Sequence, residues 1–189
     1  MTPPAPPRDP EPAPARLIVL RHAKSAWPET VADHERPLAP RGRRDAPAAG
    51  KWLAKSGYRP DLVVCSTSRR TRETWELAAA RLGTEPQVIH DRRAYDASAA
   101  ELLRLVRESP RPVRTSGPVR TLLLVGHQPG VQDLVLSLAG RGEGDCLARA
   151  REKFPTSAIA VLTLSGPWEA LAPGTATLTD FAVPRGPKK

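Results

Sequence analysis

Short apolar runs alternate with longer segments of helical periodicity along most of the chain. The runs are rich in valine, isoleucine and leucine, and few polar residues interrupt them. This pattern is typical of strands that are buried on both faces of a sheet. Five such strands are predicted: RLIVLR (16–21), DLVVCS (61–66), PQVIH (86–90), TLLLVG (121–126) and AIAVLTL (158–164).

The segments between these runs place apolar residues three or four positions apart, which predicts amphipathic helices. They cover residues 41–57, 68–83, 98–110 and 130–140. Because Pro47 lies inside the first segment, we expect that helix either to begin near Asp45 or to be kinked at the proline. The order of the elements predicts an α/β protein, a three-layer α/β/α sandwich with a mostly parallel central sheet.

The same pattern divides the chain of 189 residues into three parts. Residues 1–15 are rich in proline, so we expect a disordered N-terminal segment. Residues 16–183 are predicted to form one domain, because the length suits one sizeable core. Residues 184–189, PRGPKK, are expected to be a flexible basic tail. Within the domain, residues 140–153 are predicted to form a surface loop, with a wall over a pocket as the alternative.

The basic charge is the property of the composition that most affects the functional interpretation. A formal net charge of +9 would suit nucleic-acid binding. However, aromatic residues make up only 4% of the chain, and no basic run is interleaved with stacking residues. We therefore favour a solvated arginine-rich surface and expect no nucleic-acid partner. Such a surface would still attract phosphorylated substrates.

Membrane and redox features of the sequence point to the cytoplasm. No apolar run is long enough to span a bilayer, and the N-terminal segment lacks the apolar core of a secretory signal. The two cysteines, Cys65 and Cys146, are too few for a disulfide framework. We expect a cytoplasmic protein with no membrane partner, and the oligomeric state is left open.

Charged side chains follow three of the predicted strands at the point where each strand ends. Arg21 and His22 end the first strand, Arg70 lies shortly after the second, and His127 follows the fourth. Each residue alone has an ordinary explanation: a core histidine, a solvated helix start or a turn residue. Ligands of parallel sheets bind outside the carboxyl ends of the strands, so the shared position of these residues favours one site.

Arginine and histidine together suit phosphate chemistry. Guanidinium groups bind phosphate oxygens in pairs and neutralise the charge of a phosphoryl group in transfer. A neutral imidazole can attack phosphorus and form a covalent phosphohistidine. Because nearby arginines disfavour a further positive charge, we expect a lowered pKa for His22. His127 is in a position to donate a hydrogen bond to the phosphate oxygens.

Six blocks of the sequence resemble, in order, the histidine phosphatase superfamily and more narrowly its short phosphohistidine phosphatase branch. They are RHAKSAWP, RPLAPRGRRDAP, CSTSRRTRETWE, AYDASAAELL, LLLVGHQPGVQDL and KFPTSAIAVL. The similarity extends from about residue 16 to about residue 164. It implies a phosphoglycerate mutase-like fold and a phosphatase that needs no cofactor.

The resemblance also implies roles for individual residues. His22 would accept the phosphoryl group, with Arg21 as the neighbouring phosphate ligand. Arg70 matches the arginine of a Ser-x-x-x-Arg block, and His127 matches the second histidine of the pocket. Ser25 falls where family members have a small polar residue near the phosphate.

One family feature has no clear counterpart in this chain. Many mutase-like relatives have a glutamate after the third strand that protonates the leaving group, whereas this chain has HDRRAYDAS. Asp96 is the candidate for this acid, but we favour a role as the cap of the following helix. A labile P–N bond needs less protonation than an alkyl ester, which favours a phosphohistidine substrate.

Other chemistries fit the sequence less well. A cysteine-dependent phosphatase using Cys65 would need an arginine six positions later, where the chain has Thr71. The histidines and cysteines form no His-x-x-x-His or Cys-x-x-Cys pair, so we expect no metal site. A Gly-x-x-x-x-Gly-Lys loop for nucleotide phosphates is also absent from the sequence.

The sequence therefore predicts a metal-independent phosphohydrolase that forms a covalent phosphohistidine on His22. The expected substrate is a phosphohistidine on a phosphoprotein. A small phosphorylated metabolite is the alternative substrate, and a non-catalytic phosphate-binding module of the same fold is the alternative function. The retained nucleophile argues against a pure binding module.

Overall fold

The computed structural model describes residues 13–110 and 117–187. Residues 1–12 of the expected N-terminal disordered segment lie outside these ranges, as do residues 188–189 of the expected flexible tail. Disorder and flexibility at the two ends therefore stay predictions. No helix among the described residues has the length and apolar character needed to cross a membrane.

Strands and helices alternate along most of the described chain. The strands are β1 (Arg16–Arg21), β2 (Leu62–Ser66), β3 (Gln87–Asp91), β4 (Thr121–Gly126), β5 (Ala139–Gly142), β6 (Ile159–Leu164) and β7 (Ala176–Ala182). The helices are α1 (Pro40–Lys55), α2 (Arg69–Ala79), α3 (Ala99–Glu108), α4 (Gly130–Leu138) and α5 (Cys146–Glu152). All five strands and all four helices expected from the pattern are therefore present.

The seven strands form one mixed sheet in the order β3-β2-β4-β1-β6-β7-β5. Strands β3, β2, β4 and β1 are parallel to one another, whereas β6 runs antiparallel to both β1 and β7. In the register of β1 and β4, Arg21 lies opposite Gly126. The carboxyl ends of these central strands therefore meet at one edge of the sheet, as the mostly parallel prediction requires.

Apolar side chains on both faces of the sheet explain why helices cover both of its faces. In β1, Leu17 and Val19 belong to the core that includes residues of α3 and α4. Their neighbours Ile18 and Leu20 point to the opposite core, under α1 and α2. Because side chains alternate along a strand, a continuous apolar run supplies both cores at once. The predicted α/β/α sandwich is confirmed.

Helix α1 begins earlier than the position of its internal proline suggested. It begins at Pro40, so the expected start near Asp45 is wrong, and Pro47 lies inside the helix. Pro40 is well placed in the first turn of α1, because the N–H that proline lacks would have no intrahelical partner there. Asp45 instead accepts hydrogen bonds from Arg185 Nη1 and from the Gly186 N–H, at 2.9 and 3.0 Å.

The segment 140–153, expected to be a surface loop, is largely regular structure. It contains most of β5 and all of α5, and Ala150 of that helix is buried in the core. Strand β7 was also not predicted. Its sequence ATLTDFA alternates between buried and half-buried positions, so it lacks the continuous apolar run that marks the central strands.

The start of α1 lies against the loop that follows β1. The Ala39 N–H donates to the Lys24 carbonyl oxygen at 2.8 Å. A side chain at Gly42 would collide with that same carbonyl, so the close approach requires glycine. This contact fixes the chain that carries Ser25 directly after β1.

Candidate active site

His22 follows β1 and lies at the carboxyl edge of the sheet. Its N–H donates to the Gly126 carbonyl oxygen at 3.1 Å, and its side chain is buried, with 8% of the residue exposed. The ring Nδ1 lies 2.7 Å from the carbonyl oxygen of Ala23. A carbonyl only accepts, so Nδ1 carries the proton and Nε2 holds the free lone pair.

The environment of His22 keeps its ring neutral. Burial, with smaller contributions from the positive charges of Arg70, Arg21 and Arg36, lowers the pKa to about 3 against the opposing effect of the hydrogen bond to Ala23. The expected direction of the pKa shift is therefore confirmed. Burial, which the sequence argument did not use, is its largest cause.

Arg21 precedes His22 at the end of β1. Its Nη1 donates to the Phe154 carbonyl oxygen at 2.7 Å, which fixes the side chain, while its buried Nε has no hydrogen-bond partner. A buried guanidinium N–H without a partner is costly. An anion in the neighbouring pocket would satisfy it.

Arg70 lies in the first turn of α2 and, like Arg21, has a buried Nε without a hydrogen-bond partner. Its Nη2 donates to Asp33 Oδ2 at 2.9 Å and lies 3.4 Å from His127 Nδ1. Two arginines from different elements thus line the same pocket, and each has a buried donor without a partner.

His127 follows β4, and its ring centroid lies 5.3 Å from that of His22. Its Nε2 is 2.8 Å from the hydroxyl oxygen of Ser66, at the end of β2. A guanidinium group only donates, so His127 Nδ1 is the acceptor in its contact with Arg70, and Nε2 carries the proton and donates to the Ser66 hydroxyl. Burial, followed by the charges of His22 and Arg70, lowers the pKa of His127 to about 3.

Ser25 is buried in the loop after β1, and its hydroxyl accepts a hydrogen bond from Arg36 Nη2 at 2.6 Å. The residue lines the same pocket as His22 and Arg70, so the structure places all five expected site residues together. The pocket has a volume of about 570 Å³. Its lining consists of Arg21, His22, Lys24, Ser25, Trp27, Asp33, Arg36, Arg70, Tyr95, Asp96, His127, Gln128 and Thr156.

Asp33 is a pocket residue that the sequence reasoning missed. Its carboxylate accepts hydrogen bonds from Arg36 Nη1 at 2.8 Å, Arg70 Nη2 at 2.9 Å and the Tyr95 hydroxyl at 2.7 Å. The hydrogen bonds from Tyr95 and Arg36, in that order, hold its pKa well below the usual range. The carboxylate is therefore an ionised group that orients both arginines. Arg36 begins the block RPLAPRGRRDAP, but nothing in that block indicates its hydrogen bond to Asp33.

Asp96 does not cap α3. The N-cap is Ser98, whose hydroxyl accepts from the Glu101 N–H while the Glu101 carboxylate accepts from the Ser98 N–H. The favoured interpretation of Asp96 as a cap is therefore wrong, because the capping box begins two residues later, at Ser98. Asp96 instead adopts a left-handed backbone with φ 53° and lines the pocket.

Ser157, in the turn before β6, supports the carboxyl edge of β1. Its N–H lies 3.2 Å from the carbonyl oxygens of both Arg21 and His22, and its backbone is left-handed with φ 63°. Such a backbone is unfavourable for serine and persists where surrounding contacts impose it. The contact ties β6 to the two residues that end β1.

Cys65 has none of the properties of a phosphatase nucleophile. It is fully buried in β2, and burial raises the pKa of its thiol to about 12. The thiol therefore stays protonated at neutral pH, whereas the thiolate is the nucleophilic form.

The chain belongs to the histidine phosphatase superfamily. Residues 17–108 match the model of branch 1 of that superfamily. An uncharacterized protein of Mycobacterium tuberculosis is 42% identical over 168 residues, which cover 88% of this chain and 100% of the relative.

Two solved structures are similar over nearly their whole length. SixA from Nakamurella multipartitia, assigned as a phosphohistidine phosphatase, is 31% identical with a TM-score of 0.76, covering 92% of this chain and 98% of that one. SixA from Agrobacterium tumefaciens, with the same assignment, is 30% identical with a TM-score of 0.73, covering 90% and 99%. The phosphoglycerate mutase-like fold expected from the sequence is confirmed.

Proposed function

We propose that this protein is a metal-independent phosphohydrolase that forms a covalent phosphohistidine on His22 and acts on phosphohistidine in a phosphoprotein. The observation that carries the proposal is the orientation of His22. Its Nδ1 is held by the Ala23 carbonyl oxygen, and its pKa is lowered to about 3. Nε2 is therefore available as a nucleophile at neutral pH.

The surrounding donors suit the charge of a transferring phosphoryl group. Arg21 and Arg70 each have a buried Nε without a partner, and His127 faces His22 across the pocket. These groups would bind the phosphate oxygens and neutralise their charge, which is the main task of a phosphoryl-transfer enzyme. Because two guanidinium groups supply this positive charge, the proposed reaction requires no metal ion.

The proposed reaction has two steps. First, the His22 Nε2 lone pair bonds to phosphorus while the bond from phosphorus to the leaving group breaks. An imidazole leaving group that is protonated at its other nitrogen departs as neutral imidazole and needs no acid from the protein. A water oxygen then attacks the phosphorus and the bond to Nε2 breaks. One proton of the water passes to the phosphate or to solvent, and neutral His22 is restored.

The pocket walls support a substrate carried on a protein. The pocket is lined largely by the segment 22–39 that connects β1 to α1, and no separate capping domain is present among the described residues. A phosphorylated side chain on a protein surface could enter such a site. The two SixA structures that are 30% and 31% identical are assigned as phosphohistidine phosphatases, which supports the same substrate class.

Hydrolysis of p-nitrophenyl phosphate in excess chelator tests the mechanism. We expect wild-type activity to persist and His22→Ala to reduce it by at least about a thousandfold, since removing a nucleophile removes the covalent route. His90→Ala, an exposed histidine on β3, is the matched control and should retain activity. Undiminished activity of His22→Ala would contradict the mechanism, and loss of wild-type activity with chelator would contradict metal independence.

Substrate class is tested by comparing a phosphohistidine-containing protein with small alkyl phosphates. A higher kcat/KM for the phosphoprotein would support the proposal. Equal or faster turnover of an alkyl phosphate would favour the metabolite alternative. A chain that binds phosphate but turns over neither substrate would be the non-catalytic module.

A further inference from the structure

Trp27 is an exposed aromatic side chain at the mouth of the charged pocket. It is 74% exposed, and it is the large hydrophobic residue that stands out as exposed in the described part of the chain. It also lines the pocket that contains His22 and Arg70. A single exposed tryptophan is unremarkable elsewhere on a surface, but tryptophan beside a binding pocket is a frequent contact residue.

The indole ring rests on a fixed support. The Arg36 guanidinium lies over one face of the ring, with Cζ 3.1 Å from the ring centroid. Arg36 itself is held by hydrogen bonds from Nε to the Ala26 carbonyl oxygen, from Nη1 to Asp33 and from Nη2 to Ser25, at 2.9, 2.8 and 2.6 Å. One ring face is thus occupied, and the exposed area belongs to the other face and the ring edges.

The direction of the proposed reaction places the leaving group toward the pocket mouth. In phosphoryl transfer the attacking and leaving atoms lie roughly in line with phosphorus between them. His22 attacks from the buried end of the pocket, so the leaving group departs toward the exposed residues. Besides the two histidines, the aromatic residues that line this pocket are Trp27 and Tyr95.

Tyr95 is already engaged within the protein. Its hydroxyl donates to Asp33 at 2.7 Å, and its ring makes edge contacts with His34 and His127, at centroid distances of 4.9 and 5.4 Å. Within residues 13–110 and 117–187, the ring of Trp27 packs on the Arg36 guanidinium and takes part in no aromatic pair. Of the two aromatic residues, Trp27 is therefore the one with a ring face open to a ligand.

We propose that Trp27 is a specificity-determining residue that stacks against a planar leaving group, the imidazole ring in a phosphohistidine substrate. This inference rests on the proposed function, because it assigns a position to the group that departs from phosphorus. Stacking on an aromatic face has no hydrogen-bond requirement, so it selects flat rings over aliphatic groups without distinguishing among rings.

The test compares two substrates that share a P–N bond and differ in the ring: N-phosphoimidazole and phosphoramidate. We expect Trp27→Ala to reduce kcat/KM about tenfold for N-phosphoimidazole and less than twofold for phosphoramidate, as one lost stacking contact implies. Trp27→Phe should retain most of the preference for the ring. Trp52→Phe is the control, because Trp52 stacks on Tyr58 outside the pocket, and it should affect neither substrate.

Two results would overturn the assignment. Equal losses on both substrates would mean that Trp27 acts only by supporting Arg36, and no loss on either would mean that it does not contact the substrate. Because Trp27 is exposed, its variants should keep the wild-type melting temperature, which excludes misfolding as a cause.

A binding measurement separates failure of this inference from failure of the proposed function. If the wild-type protein hydrolyses neither substrate, calorimetric titration with phenylphosphonate and methylphosphonate still tests Trp27. We then expect Trp27→Ala to weaken phenylphosphonate binding about tenfold and to leave methylphosphonate binding unchanged. Equal effects on the two phosphonates would contradict the stacking role irrespective of catalysis.

Discussion

Polar groups are paired differently on the parallel side of the sheet, strands β3, β2, β4 and β1, and on its antiparallel side, strands β6 and β7. At the carboxyl edge of β1 and beside β2, Arg21 and Arg70 have buried N–H groups without partners. On β6 and β7, in contrast, Thr163 and Thr179 lie 3.4 Å apart, and Asp180 accepts a hydrogen bond from Tyr58. Unsatisfied buried donors are costly, whereas paired groups contribute to stability. The parallel side therefore has the character of a binding site, and the antiparallel side that of a structural support.

The largest effect that tests this contrast is expected from Arg70→Lys. A lysine loses the planar fork that reaches phosphate oxygens and Asp33 together, so kcat should fall by about 10²–10³. Arg69→Lys is the matched control, since Arg69 is the preceding residue and is exposed, with its Nε bound to Glu73 at 2.8 Å. Steady-state kinetics would measure both variants. Equal losses of kcat would contradict a specific role of Arg70 in the site.

A smaller effect is expected from the two site histidines, which should make the free energy of unfolding depend on pH. His22 and His127 have folded pKa values of about 3, below the ordinary value of 6.5. As pH falls below about 6.5, the unfolded chain takes up protons that the folded protein does not. The free energy of unfolding should therefore fall by about 1.4 kcal/mol per pH unit for each histidine.

Denaturant unfolding between pH 6.5 and 5 would measure this slope, in a range where few carboxylates titrate. The double variant His22→Gln and His127→Gln should show a much flatter dependence. A slope unchanged in that variant would place the responsible groups elsewhere in the molecule.

The smallest effect is expected from Tyr58→Phe on the antiparallel side. Tyr58 donates to Asp180 on β7, and loss of one such hydrogen bond should lower the free energy of unfolding by about 1 kcal/mol. Activity should stay within twofold of wild type, because Tyr58 does not line the active-site pocket. A large loss of activity with unchanged stability would contradict the division between the two sides.

An element could be predicted from the sequence when it is buried on both faces and was missed when it is only partly buried. Strands such as β1 and β4 are covered on both faces, so their residues form continuous apolar runs that stand out. Strand β7 alternates between buried and half-buried residues, and α5 has only seven residues, of which Ala150 is buried. A strand without a continuous apolar run and a seven-residue helix with one buried position leave too little pattern to detect.

Reasoning from the fold could predict site residues only at or near strand ends, and Ser25 was expected from the family resemblance alone. Arg21 ends β1, and His22 and His127 directly follow β1 and β4, so sheet topology brings them together. The contacts of Asp33 with Arg70 and Tyr95 join three separate segments, and no local pattern encodes such distant pairing. The error over Asp96 is different, because Ser98 and Glu101 already had the spacing of a capping box in the sequence.

The hydrogen bonds of Asp45 affect how the chain can be shortened or extended. Its side chain is 4% exposed and is held by Arg185 and Gly186 from the end of the described chain, with Arg41 a further 3.4 Å neighbour. Truncation after Val183 would leave a buried carboxylate with Arg41 alone. Asp45 lies in α1, and the start of α1 contacts the loop after β1 that carries Ser25. Loss of residues 184–187 would therefore disturb a helix that supports the site, so shortened variants should keep these residues and carry affinity tags beyond them.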